Sequence, residues 1–358
     1  MEKSPRKLIT EQGESLNVEK LLLAAEIHPS DKIPEPLPCL QIVNNGIKIT
    51  VSSYGEFILL IGKAKSRKTF LVTLFFSIIA GYRLDRFCGN LPTGKIGLYF
   101  DTEQGSYYVH KVLTRICKLI NTPIPNNIKV YSLRKYTPAE RLKIIEHAIN
   151  TIPNIGFVVI DGVRDLVTSI NDEDQATMIT SKFLKWTEER QICILTVLHQ
   201  NKNDLNARGA LGTEAVNKAE TVLSITKSTE NKDISIVEVD YSKGKCFEPF
   251  AFTIDDNELP QIVDEWENEK PVKKVKQNID DITGVNAYAT LSKCFSKSET
   301  GKIYHGQLEK DIKYFYKELY GIELTDAIVI ELITKSRIKS WIIQVKERLP
   351  YTLGRFTD

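Results

Sequence analysis

Eight consecutive residues, Gly62-Lys63-Ala64-Lys65-Ser66-Arg67-Lys68-Thr69, have the types and spacing of a loop that holds phosphate. Such a loop runs into a helix N-terminus, where unpaired backbone N–H groups and the helix dipole both attract an anion. Lys68 is then placed to reach the β- and γ-phosphates of a nucleotide, and the Thr69 hydroxyl to coordinate Mg²⁺. Phe70 opens the helix behind the loop. One position departs from the pattern: glycine is usual before the lysine, and the chain has Arg67. That side chain either changes the backbone geometry of the loop or adds a cation beside the phosphates. Without a nucleotide, the same residues would read as a basic surface turn between a core strand and a core helix.

Hydrolysis needs carboxylates as well. Asp161 ends the apolar run Phe157-Val158-Val159-Ile160, where it can hold a Mg²⁺-bound water opposite Thr69. Glu103 follows a different apolar run, residues 96–100, and is the candidate to orient and deprotonate an attacking water. Asp101 is the alternative, since strand alternation puts it on the same side as Glu103. His199 and Gln200 close a third run, and either can sense a γ-phosphate by a hydrogen bond. Lys243 and Lys245, in Ser242-Lys243-Gly244-Lys245, are the remaining cations of interest; the bland alternative is a charged hairpin turn.

These residues need a scaffold that brings strand ends together. Short apolar runs at 46–52, 57–61, 95–100, 129–131, 157–160, 192–198, 221–226 and 234–241 read as strands. Helical stretches at 70–80, up to about 119, 137–150 and 174–190 separate most of them. Thr137-Pro138-Ala139-Glu140 supplies a cap, a first-position proline and an acidic first turn. Strands alternating with helices predict an α/β fold with a parallel sheet covered on both faces. Ligands of such sheets sit at the carboxyl ends of the strands, the edge where His199 and Gln200 fall. Residues 201–213, with Lys202, Arg208, Gly209 and Gly212, read as a mobile loop.

Outside this core, residues 18–27 predict a short helix capped by Asn17. Pro34, Pro36 and Pro38 hold the segment after it extended. This arm either packs on a neighbouring subunit or frays. From about 255 to 281 the composition turns charged and reads as a linker. Beyond it, helices are expected at 307–320, 325–333 and 336–349, with a strand in the tail. That order and the basic residues Lys335, Arg337, Lys339, Lys346 and Arg348 fit a winged helix-turn-helix, or else a helical partner-binding domain with a solvated basic face.

Net charge is +2 over 358 residues, so any basic surface must be local. The six cysteines are scattered without a CxxC pair, which argues for reduced thiols. No signal sequence or membrane-spanning stretch is apparent, so a soluble cytoplasmic protein without a membrane partner is expected.

In order and spacing the motifs at 62–69, 101–104, 157–161, 198–202 with 207–209, and 241–245 resemble RecA-like P-loop ATPases. Within them the resemblance is to the hexameric replicative helicase branch, and closest to RepA-type plasmid helicases. It extends to a group of ATPases carried by bacterial mobile elements and phages. It covers roughly residues 39–258 and implies an ATP- and Mg²⁺-dependent ring that grips single-stranded DNA with the loops at 162–174 and 201–213. By the same resemblance Lys243 and Lys245 reach the γ-phosphate of a neighbouring subunit, although as lysines they lack the bidentate reach of arginine. The implied division is an arm and linker at 1–38, a RecA-like ATPase domain at 39–258, a charged linker at 259–281 and a helical or winged-helix-like domain at 282–358. Two other functions suit the same residues: a DNA-binding regulator that uses ATP as a switch, and a nucleotide-binding scaffold without hydrolysis.

Overall fold

A computed structural model describes residues 17–44, 46–201, 206–263, 266, 279 and 282–356. The chain divides into two compact units, 1–266 and 267–358.

The first unit begins with α1 (Val18–Ala25), capped by the Asn17 carboxamide, which accepts the Lys20 N–H at 3.0 Å. None of the residues of α1 is buried. The strands β1 (Pro38–Asn44) and β2 (Ile47–Ser53) form an antiparallel ribbon, followed by β3 (Phe57–Gly62), the phosphate-loop strand. In β3, Ile58 and Leu60 face one apolar cluster while Phe57, Leu59 and Ile61 face another. A strand apolar on both faces needs a layer on each side, which the rest of the unit supplies. The helix α2 (Lys68–Ile79) follows and is buried along nearly its whole length. After it come β4 (Phe87–Gly89), β5 (Ile96–Asp101), α3 (Ser106–Leu119), β6 (Ile128–Ser132), α4 (Pro138–Thr151), β7 (Ile155–Asp161), α5 (Glu173–Arg190) and β8 (Cys193–His199). The unit closes with α6 (Gly209–Lys218), β9 (Thr221–Lys227), β10 (Ser235–Ser242), β11 (Phe250–Ile254) and β12 (Pro260–Val263).

Nine strands make one sheet in the order β12-β11-β10-β9-β3-β8-β7-β5-β6. The part from β9 to β6 is parallel, and β10, β11 and β12 extend it antiparallel. On one face lie α2, α3 and the small β2-β1-β4 sheet; on the other, α4, α5 and α6. This is the α/β architecture of a RecA-like P-loop core, as the sequence predicts.

The second unit has its own core around Leu291, Leu308, Ile312, Val329 and Trp341. Its elements are α7 (Gly284–Ser296), β13 (Lys302–Ile303), α8 (His305–Tyr320), α9 (Asp326–Ile338), β14 (Ile342–Ile343) and β15 (Tyr351–Leu353). The three short strands form one sheet in the order β13-β15-β14. Three helices are interleaved with this three-stranded sheet in the sequence order α7-β13-α8-α9-β14-β15.

Several expectations are corrected. Residues 209–218 form a helix rather than continuing the loop at 201–213, because Leu211 and Ala215 are buried. Lys202 lies outside the described residues. No helix spans 336–349: Ser340 adopts a left-handed φ of 58°, and Trp341 and Ile342 turn into the core. Residues 260–263, expected within the linker, are an edge strand that starts on Pro260, where the missing N–H costs the ladder little. Residues 264–265, 267–278 and 280–281 of that linker lie outside the described residues. Among the described residues, no helix is long and apolar enough to cross a membrane.

Candidate nucleotide site

Register alone gathers the site. Gly62 pairs with His199 across β3 and β8, and Asp101 pairs with Asp161 across β5 and β7. All four therefore end their strands at the same edge of the sheet. The loop after Gly62 leaves Lys63, Ala64 and Lys65 exposed and buries Ser66 and Lys68. The Ser66 Oγ is buried with no hydrogen-bond partner, an orphaned hydroxyl facing into a loop of phosphate-binding sequence.

Lys68 Nζ donates to the carbonyls of Gly62 and Lys63, each at 2.9 Å, and to His199 Nδ1 at 3.2 Å. Burial lowers the Lys68 pKa, and the charges of Glu103 and Asp161 oppose that shift. An ammonium can only donate, so His199 Nδ1 accepts and its proton sits on Nε2. That nitrogen is 3.4 Å from Glu103 Oε1. The result is a polar chain from the phosphate-loop lysine, through the imidazole, to the candidate base. The hydrogen bond from His199 is the main reason that the Glu103 carboxyl titrates below its ordinary range.

The Asp161 Oδ2 accepts from the Thr69 hydroxyl at 3.0 Å and from the Tyr99 hydroxyl at 2.8 Å. Its burial, then the nearby Asp101 charge, pushes its carboxyl up to about 7. An oxygen pair of this kind, with excess negative charge at its back, fits Mg²⁺; Thr69 and Asp161 would hold it. Asp101 is fully buried and its carboxylate accepts from the backbone N–H groups of Glu103 and Gln104, at 3.0 and 2.7 Å. The side chain of Gln104 adds a third bond at 2.8 Å. Asp101 is thereby occupied in shaping the turn that presents Glu103.

Gln200 is buried; its N–H donates at 3.2 Å to the Gly62 carbonyl that also accepts from Lys68, and its backbone bridges to Ala207. Phe70 is half-buried, with the Arg115 guanidinium 4.3 Å from its ring centroid. Lys243 and Lys245 are elsewhere. Ser242 pairs with Thr221, and Thr221 with Ile58, at the end of the sheet away from the phosphate loop. Lys243 Nζ contacts Glu56 Oε1 at 2.9 Å. Between the levels of Ile58 and Gly62 lie about 13 Å of strand. Neither lysine reaches the nucleotide site of its own chain.

Sequence reasoning missed three contributors. Tyr99 is one; a hydroxyl within the apolar run of β5 was the available signal. Gly162 is another. Its φ is +106°, and a Cβ built there would meet Thr102 Oγ1 at 2.3 Å and Glu103 Cγ at 2.8 Å. The third is Asp233, whose backbone O and Oδ1 accept from the Arg67 guanidinium at 2.5 and 3.1 Å. No local pattern announces that contact across 166 positions. Arg67 itself caps α2 in the left-handed region, with φ 71° and ψ 28°.

Residues 29–204 match the AAA domain family. The first unit joins an α/β sheet core to a loop of phosphate-binding sequence. A KaiC-like protein, PH0186 from the hyperthermophilic archaeon Pyrococcus horikoshii OT3, is similar in structure at 13% identity and a TM-score of 0.44. That similarity covers 59% of this chain and 90% of that one. No curated protein matches the chain. In the first unit, the loop at 62–69, Asp161 and the Glu103 turn converge on one sheet edge.

Proposed function

We propose that the chain hydrolyses MgATP and couples that reaction to DNA, as a ring-forming helicase in plasmid, phage or mobile-element replication. The observation that carries the hydrolytic part is the contact chain Lys68–His199–Glu103. Lys68 and the loop N–H groups would bind the β- and γ-phosphates, and Thr69 with Asp161 would hold Mg²⁺. The bound ion would neutralise charge on the phosphate oxygens. Glu103 would take a proton from the water that attacks the γ-phosphorus, leaving ADP and phosphate. His199, hydrogen-bonded to both Lys68 and Glu103, would register whether the γ-phosphate is present.

Lys243 and Lys245 are exposed at the sheet end opposite the phosphate loop, where they could serve only a second copy's nucleotide. A closed ring, a hexamer by family resemblance, would supply that copy. Single-stranded DNA would run past the segments at 162–174 and 201–213. A second reading, the ATP-switched DNA-binding regulator, is favoured by one observation. The winged-helix unit carries twelve Lys and Arg against eight Asp and Glu between residues 282 and 356.

The test is ATP hydrolysis by the whole chain with and without single-stranded DNA, beside Lys68→Ala and Glu103→Gln. Hydrolysis raised several-fold by DNA and lost in both variants supports the motor. Hydrolysis indifferent to DNA selects the switch. ATP binding without any hydrolysis overturns both.

A further inference from the structure

Between Gln104 and Ala139 the chain has six Lys and Arg and no Asp or Glu. This segment forms α3, β6 and the turn after β6, and β6 is the last strand at its edge of the sheet. The acid-free segment therefore makes one flank of the core. Of the neighbouring carboxylates, Glu258 pairs with Lys111 and Arg115, and Glu140 is hydrogen-bonded to Thr137 at the cap of α4, so the strip's charge rests mainly on Lys118, Arg134 and Lys135.

Large aromatic surface accompanies the charge. Tyr107 and Tyr108, in the first turn of α3, are 68% and 58% exposed, with ring centroids 5.3 Å apart at 82°. Tyrosines with that much ring in water serve no core. Tyr107, His110 and Lys118 share an exposed helix face by spacing, and His110 and Lys118 border a cavity of about 630 Å³. At the other end, Ser132 Oγ lies 3.4 Å from Ser106 Oγ, which ties the exit of β6 to the start of α3. The exposed Arg134 and Lys135 emerge there, and a Cβ on Gly105 would lie 3.5 Å from Arg134 Nη1. Arg141 braces their turn by donating to the carbonyls of Leu133 and Arg134, at 3.1 and 2.8 Å.

We infer that this flank is a binding surface for single-stranded nucleic acid, with phosphates on Arg134, Lys135 and Lys118 and bases stacked on Tyr107 and Tyr108. Cations interleaved with exposed aromatic rings suit a strand whose bases are unpaired. A second copy of the chain is a poorer occupant, because the exposed Lys243–Lys245 turn would bring like charge to it. The inference deepens the DNA-acting reading, and the strip adjoins the segment at 162–174 through Arg141, which also donates to the Asp165 carbonyl at 3.0 Å. The strip begins three residues after Glu103, so a bound strand would bear on the turn that holds the catalytic carboxylate.

The test uses the full chain and fluorescence anisotropy of labelled oligo(dT), without nucleotide, across a salt series. Tyr107→Ala/Tyr108→Ala should weaken binding about tenfold or more and leave the salt dependence unchanged. Tyr107→Phe/Tyr108→Phe should retain wild-type affinity, since the rings remain. Arg134→Glu/Lys135→Glu should weaken binding and flatten the salt dependence. Oligo(rU) should show the same losses, because neither stacking nor phosphate contact reads the 2′-hydroxyl. Basal ATP hydrolysis of the tyrosine-to-alanine pair should equal that of wild type. Wild-type affinity in both the alanine and glutamate pairs overturns the inference. So does unchanged affinity with an altered sedimentation coefficient, which would assign the flank to a contact between copies. Wild type that binds through this strip without DNA-stimulated hydrolysis overturns the motor alone. DNA-stimulated hydrolysis with unimpaired binding by the alanine pair overturns the strip alone.

Discussion

Glu103 is held by more than its own backbone: His199 contacts one carboxylate oxygen and Asp101 fixes the turn beneath it. Glu103→Gln preserves that shape and removes the proposed base. ATP binding should stay within a few-fold of wild type while turnover falls by roughly 10²–10⁴, read by nucleotide titration and single-turnover hydrolysis. Asp161 gives a pH signature. Its folded pKa of about 7 lies well above the ordinary aspartate range, so the fold favours the protonated acid. The associated stability is fully present below about pH 4 and is lost as pH rises through 7, amounting to a few kcal/mol. Without Mg²⁺ or nucleotide, thermal melts should show the wild type losing stability across that window and Asp161→Asn nearly flat. The participants of this site were mostly legible because each ends an apolar run. Its contacts were not: the Lys68–His199 pair spans 131 positions, and only the β3–β8 register closes that distance.

Two elements meet at Arg67. A side-chain residue in the left-handed region costs about 1–2 kcal/mol, whereas an ion pair with the largely exposed Asp233 returns about 0–1 kcal/mol. Arg67→Gly should thus leave stability within about 1 kcal/mol of wild type. Asp233→Ala retains the strain and loses the tie, so it should be the more destabilising variant in urea titrations. Gly162→Ala should act on catalysis, because the new methyl group meets Thr102 and Glu103 at a backbone angle alanine disfavours. Turnover should fall at least about tenfold, together with a drop in stability of more than about 1 kcal/mol. Element by element, the parallel strands and their helices were readable from apolar runs of strand length. The short strands β4 and β12 carry too few apolar residues to be told from loops, whereas the apolar run Phe250-Ala251-Phe252 of β11 was an available signal. The second unit misled differently: the apolar spacing of α9 continues past Ser340, where a left-handed turn ends the helix.

At the scale of the molecule, the first and second units have separate apolar clusters among the described residues. Calorimetry should resolve two unfolding transitions, with MgATP or a slowly hydrolysed analogue raising only the one that belongs to the first unit. At a hundred times the dissociation constant that stabilisation is about 2.7 kcal/mol. A single transition shifted as a whole would instead mean that the two units unfold together. The strand order also has a consequence for how the protein is made. β3 is flanked by β8 and β9, so the phosphate-loop strand acquires both partners only after residue 227 has left the ribosome. At ordinary elongation rates the wait is roughly ten to thirty seconds. Throughout it, Phe57-Ile58-Leu59-Leu60-Ile61 is an unpaired apolar strand whose N–H and C=O groups can pair with another nascent chain. The arrangement that centres the nucleotide site in the sheet leaves the same segment as the one most in need of chaperone cover during synthesis.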